Sequence, residues 1–205
     1  MDFSHWLSLF SICLLGAMSP GPSLAVVMGS ALHGGRRAGY ACAVAHGAGV
    51  GLYGLLTVTG LAVIVTRSPG LFLAVQLAGA AYLLYLGARS LRGGGGPALP
   101  ADGSADTGRR PAVDGFLVAF LNPKLAVFML ALFSQFLHAG ADVLEKGIMA
   151  ATVGITDALW YSLVVLLITR PAFLDRLRAG ARVIDRAFGV ILVLLALTVI
   201  ARALL

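Results

Sequence analysis

Three stretches of the chain, 3–35, 38–66 and 68–88, contain no Asp, Glu, Lys or Arg. Each equals or exceeds the roughly 20 apolar residues that an α-helix needs to cross a bilayer, and no other feature restricts the fold as much. Charged residues make up about 25% of an ordinary soluble domain, against 12% of these 205 residues; 59% are hydrophobic and the mean hydropathy is +0.93. Lipid offers no partner to a backbone amide or carbonyl, so spans of this composition must be helices. We read six, at about 5–31, 40–65, 69–91, 115–137, 147–169 and 187–205. The expected fold class is an all-α integral membrane protein forming one domain over 1–205, with no polar length left for a soluble catalytic domain.

The first span does not read as a cleaved leader. Asp2 stands where a signal peptide carries Lys or Arg, and a proline follows Met18-Ser19 at the one plausible cleavage region. Both cysteines, Cys13 and Cys42, fall inside spans and read as small apolar packing residues.

Basic residues are distributed unevenly. Arg36 and Arg37 separate spans 1 and 2; Arg89, Arg92, Arg109 and Arg110 separate spans 3 and 4; Arg170, Arg176, Arg178, Arg182 and Arg186 separate spans 5 and 6. The opposite side carries Arg67, Lys146 and Arg202. Cytoplasmic loops are the Lys/Arg-rich ones, so loops 1, 3 and 5 are expected inside and both termini outside. These short loops contain almost no aromatic residues, which argues against a nucleic-acid partner. The Gly-rich stretch between spans 3 and 4, GGGGPALPADGSADTGRR, is not followed by Gly-Lys-Ser or Gly-Lys-Thr, so it reads as a flexible linker rather than a phosphate loop.

The sequence also echoes itself. Pro22-Ser23-Leu24-Ala25-Val26-Val27-Met28 returns as Pro123-Lys124-Leu125-Ala126-Val127-Phe128-Met129, a shared P-x-L-A-V-x-M in a chain with 8 prolines and 5 methionines. The spacing predicts two three-helix repeats, 1–92 and 113–205, joined by the linker 93–112. Three spans are an odd number, so the second copy enters the membrane from the other side. Gly- or Pro-interrupted helices at matching positions of inverted repeats mark substrate sites near the midplane of secondary transporters; a simple kink is the alternative. Each proline removes an amide donor and disrupts an interior helical bond, at about 3 kcal/mol. Pro20-Gly21-Pro22 therefore leaves bare carbonyls and a fresh helix N-terminus beginning at Pro22. Carbonyls suit an ammonium and a helix N-terminus suits a carboxylate, and a zwitterionic amino acid presents both.

Two ionisable residues fall inside predicted spans. Lys124 follows Asn122-Pro123, about 13 Å from one end of its span, and Asp157 lies about 15 Å from the opposite end of the next, at 1.5 Å per residue. Each costs roughly 2.5 to 3.5 kcal/mol on insertion scales and needs a partner or a purpose. Lys124 either snorkels to the interface or faces the path; Asp157 is either satisfied by Thr156 or Tyr161 or takes a proton and a cationic group in turn. His46 reads mainly as a polar packing residue, with a proton relay as the alternative. Gly47 and Gly51 have the small-residue spacing of close helix packing. Tyr82, Tyr85 and Trp160 suit interface anchoring, packing or cavity lining. No HExxH, CxxC or Gly-x-Ser-x-Gly motif occurs, so the chain reads as a transporter, not an enzyme, with no cofactor and no metal.

Several stretches resemble the bacterial LysE/RhtB amino-acid exporters: Ser19-Pro20-Gly21-Pro22, Gly34-Gly35-Arg36-Arg37-Ala38-Gly39, Ala78 through Gly87, Gly115-Phe116-Leu117, Asn122-Pro123-Lys124, Gln135-Phe136 and Asp157. They run from span 1 to span 5 in that family's order. The resemblance implies a six-span permease of the bacterial plasma membrane that exports amino acids or close derivatives, driven by the proton motive force. It places Pro20, Gly21, Pro22, Asn122, Pro123, Lys124 and Asp157 at the transport path, with Asp157 as the proton-coupling group. Ser134 departs from the family's usual proline. Tyr53 stands where many members carry histidine or another polar group, and is therefore a candidate for choosing the substrate. A homo-oligomer is compatible with this reading.

Competing readings differ in chemistry. An inorganic-cation exporter needs several oxygen, nitrogen or sulfur ligands, and Asp157 is the one acidic residue inside a predicted span. A membrane thiol redox protein needs cysteines beside the prolines, where Gly21 and Lys124 stand. An intramembrane hydrolase lacks its embedded His and acidic cluster.

Overall fold

Proline decides where most helices start. The computed structural model describes residues 1–19, 21–92, 110–168 and 171–204, in seven helices: α1 Phe3–Met18, α2 Pro22–Arg67, α3 Pro69–Leu91, α4 Pro111–Phe120, α5 Pro123–Phe136, α6 Val143–Leu167 and α7 Pro171–Leu204. Five begin on proline, whose fixed φ suits the first helical position and whose missing amide would be unpaired there anyway. The other two are capped by acids: Asp2 accepts from His5 N and Asp142 from Glu145 N. No strand occurs among the described residues.

The stretches expected as spans 3 and 5 fall on the single helices α3 and α6. The stretches expected as spans 1 and 4 are each divided into two helical pieces. α1 has 16 residues, about 24 Å against a hydrocarbon core of about 30 Å, and continues past the break at Ser19–Gly21 into α2. α2 itself is interrupted at Gly35, with φ 75° and ψ 178°, a conformation open to glycine alone; Arg36 and Arg37 follow it. Span 4 is α4 and α5, bent by 56° at Leu121-Asn122. By length and composition α2, α3, α6 and Ala179–Ala201 of α7 are each long and apolar enough to cross a membrane, and the bent pair makes a fifth. The linker at 93–112 lies almost wholly outside the described residues.

Burial follows the reversed logic of a lipid-embedded protein. Leu55, Leu56, Val63, Ile155, Leu159, Leu194 and Leu197 point outward, too many apolar side chains for a water-facing surface. Inward, Leu9, Leu83, Leu132, Phe133, Met149 and Leu192 form the core.

Two reciprocal glycine contacts tie the halves together. A Cβ on Gly47 would lie 2.7 Å from the Gly154 carbonyl oxygen, and one on Gly154 would lie 2.9 Å from that of Gly47. Gly87 and Gly189 repeat the arrangement, each Cβ 2.8 Å from the other's carbonyl. Backbone contact this close needs small residues on both helices, so α2 meets α6 and α3 meets α7 at short range. Among the described residues α2 also lies against α4, α5 and α3, α1 against α6 and α7, and α3 against α5.

Candidate functional site

The two helix breaks face one cavity. Its volume is about 140 Å³, the size that admits a benzene-sized guest. Ser19, Gly21, Pro22 and Ser23 contribute from the first break, and Asn122, Lys124 and Leu125 from the second. His46 and Val50 of α2 and Val153, Asp157 and Tyr161 of α6 form another wall. α3 adds Leu86, Arg89 and Ser90, and apolar surface comes from Phe128 and Met129 of α5 and Phe188 of α7.

The breaks are capped differently. Asn122 accepts hydrogen bonds from Lys124 N at 3.0 Å and Leu125 N at 3.3 Å, so the Asn-Pro-Lys sequence is an N-cap, a first-turn proline and a cation in consecutive positions. At the first break Gly21 is the N-cap and offers no side-chain hydrogen bond. The α2 N-terminus thus keeps its first amides available to the cavity, where an anion is favoured.

Asp157 meets a partner that sequence reasoning ranked low. His46 Nδ1 lies 2.6 Å from Asp157 Oδ2, and both residues are buried, at 2% and 8% exposure. The His46 ring stands nearly perpendicular to that of Tyr161 at 5.1 Å, and its Nε2 has no hydrogen-bond partner among the described residues. Thr156 and Tyr161 do not bond Asp157 among the described contacts, and no ion pair joins Asp157 to Lys124.

Asp185 precedes the expected last span, 187–205, by two residues. The structure extends α7 back to Pro171, buries Asp185 and lets Ser19 Oγ donate to its Oδ1 at 2.8 Å. The signal was present in the period: Asp185, Phe188, Leu192 and Ala196 are all buried and recur at helical spacing. His46 likewise shares a stripe with the buried Gly39, Ala43, Val50 and Gly54. Cys13 also lines the cavity rather than only packing, and Arg89, counted for topology, belongs to the wall.

Of the residues singled out from sequence, Gly21, Pro22, Asn122, Lys124 and Asp157 are brought together here. Pro20 lies outside the described residues, and Pro123 enters only as the first residue of α5. Tyr53 is elsewhere: it packs edge-on against Phe120 at 5.7 Å, joins the apolar core and does not line the cavity. Ser134 is fully buried and belongs to a separate polar group, in which Gln76 Nε2 donates to the Ser134 carbonyl at 2.8 Å and Gln135 Nε2 to Ser134 Oγ at 2.8 Å. Among the described residues no three His, Cys, Asp or Glu side chains converge on a metal site.

The chain is 28% identical over 190 residues to a homoserine/homoserine lactone efflux protein of Salmonella typhi, covering 92% of each chain. It is 28% identical over 153 residues to a leucine efflux protein of Klebsiella pneumoniae, covering 72% of this chain and 71% of the relative. A similar match, 30% over 173 residues, is an uncharacterized membrane protein of Pseudomonas aeruginosa, covering 79% and 80%. No solved structure matches at a significant level. The family profile described as LysE type translocator matches residues 14–202, nearly the whole chain, and the protein belongs to that family.

Proposed function

We propose that the protein exports a small amino acid or a close derivative across the bacterial plasma membrane, driven by the proton motive force. The observation that carries this is the single cavity between two helix breaks, lined at once by cations, a carboxylate and apolar side chains. The substrate's carboxylate lies at the uncapped N-terminus of α2, near Lys124 and Arg89, where backbone amides and positive charge act together. Its ammonium faces Asp157, the one acidic side chain among the lining residues. Leu86, Phe128, Met129 and Phe188 receive the uncharged remainder. Proton coupling runs through Asp157. Relatives named for leucine and for homoserine or its lactone are in keeping with a substrate of this size and polarity.

The architecture of this reading is six spans in two inverted repeats, with loops 1, 3 and 5 in the cytoplasm. The two reciprocal glycine contacts, Gly47 with Gly154 and Gly87 with Gly189, support it. The paired breaks at Gly21-Pro22 and Asn122-Pro123 fall at the echoed positions.

The reading is tested by expressing the chain in a bacterium, loading the cells with dipeptides and following the free amino acids that leave. Faster release of at least one amino acid or homoserine-like compound than from cells without the chain is expected. No acceleration for any of them overturns the proposal.

A further inference from the structure

We propose that His46 carries the coupling proton, taking it up and releasing it at Nε2 while Nδ1 stays hydrogen-bonded to Asp157. The inference rests on the export reading above and concerns the same cavity.

The geometry assigns different work to the two ring nitrogens. A carboxylate 2.6 Å from Nδ1 keeps a hydrogen on that atom whether the ring is neutral or charged, because the partner of one nitrogen sets the state of the other. Exchange is thereby confined to Nε2, the nitrogen without a hydrogen-bond partner among the described residues on a residue that lines the cavity. A buried polar atom left unpaired is uncommon and costly, and calls for an explanation.

The pair is also held rigidly. His46 adjoins Gly47, and Asp157 lies one helical turn beyond Gly154, the two glycines at which α2 and α6 come into backbone contact. The Tyr161 ring stands nearly perpendicular to the imidazole at 5.1 Å. A change of protonation at this pair changes its charge.

That change of charge links proton to substrate. With Nε2 protonated, imidazolium and carboxylate sum to zero; without that proton the pair carries one negative charge. The other titratable or charged groups lining the cavity are Cys13 from α1, Arg89 from α3, Lys124 from α5 and Tyr161 from α6; Asp185 of α7 is not among the lining residues, is buried and accepts a hydrogen bond from Ser19. None of these other lining groups is a carboxylate that would hold an ammonium instead, and the two cations repel one. An ammonium therefore binds the anionic pair and is displaced from the neutral one. Facing the cytoplasm, the Nε2–H bond breaks, its electron pair stays on nitrogen, the proton leaves to solvent and the ammonium settles beside Asp157. Facing outward, Nε2 takes a proton from solvent and the ammonium departs. One proton enters for each amino acid exported, and no redox partner is involved.

The test uses the full chain in proteoliposomes, with L-leucine and L-homoserine as probes and His46→Asn as the variant, since asparagine retains a donor near Nδ1 and has nothing at Nε2. In the unsubstituted protein the half-saturating concentration for probe exchange is expected to rise at least about fivefold between about pH 8 and pH 5.5. In His46→Asn the exchange that remains is expected to be flat across this range, and accumulation driven by a pH gradient is expected to be lost. In a separate measurement, adding probe to weakly buffered, detergent-solubilised protein near neutral pH should release protons, and His46→Asn should release none. Variant exchange that keeps the original pH response, accumulation by the variant driven by a pH gradient, or absence of proton release from the unsubstituted protein each overturns the inference. Unsubstituted protein that exchanges no amino acid from a wider panel overturns the export reading itself.

Discussion

His46 and Asp157, 111 residues apart in sequence, meet at 2.6 Å across the seam between α2 and α6. The contact joins one half of the chain to the other at the wall of the cavity, beside a glycine pair that brings the two backbones together. Removing one member alone leaves a buried polar group without its partner, whereas removing both leaves apolar surface. Asp157→Leu is therefore expected to lower stability by about 3–5 kcal/mol. The double substitution with His46→Leu should lose less than the sum of the single ones, by about 0.5–3 kcal/mol. Thermal unfolding of the four proteins in the same detergent measures this; strict additivity contradicts a direct interaction.

Lys124 follows the first residue of a helix capped by Asn122 and lines the cavity; in the proposed function its charge meets the substrate's carboxylate. Lys124→Gln is expected to weaken an exported amino acid by about 1.5–3 kcal/mol, the worth of a hydrogen bond to a charged group. The corresponding amino alcohol, which lacks the carboxylate, should compete for export equally well against both proteins. Competition assays separate the two effects, and an equal loss for both ligands argues against a carboxylate contact.

The helix seam gives a prediction with an internal control. A methyl group at Gly154 meets the Gly47 carbonyl and the Gly51 backbone, whereas one at Gly147, on the same helix, meets nothing within 4 Å. Gly154→Ala is expected to cost about 1–3 kcal/mol through overpacking. Gly147→Ala should be neutral or slightly stabilising, since alanine is the better helix former. Comparing the two proteins by thermal unfolding in detergent checks the contact.

Loop orientation is open to direct measurement. A reporter inserted between residues 93 and 109 is expected to read cytoplasmic, and one at Gly140, between α5 and α6, to read external. The reverse pattern would refute the positive-inside assignment.

Particular residues show how much was legible beforehand. Asn122-Pro123-Lys124 and Gly21-Pro22 mark helix starts by local sterics and capping, so both breaks were visible in the sequence and both fall where the motifs stand. Asp157 was visible because a carboxylate among apolar residues is conspicuous. Its partner was not: histidine is common as a packing residue, and nothing near His46 in the chain names Asp157. Tyr53 does not line this cavity, because a position known from resemblance does not fix which way a helix face turns; here it turns towards Phe120.

The sequence by itself determined the solvent, the helical class and the places where helices break. These follow from hydrophobic runs and from what proline and glycine do to their own backbone, all within a few residues. Only the tertiary structure decided which polar groups share the cavity. Pairing His46 with Asp157, or Ser19 with Asp185, depends on the rotation and depth of helices far apart in the chain. Packing of small residues between α2 and α6 sets those quantities, and no local rule does.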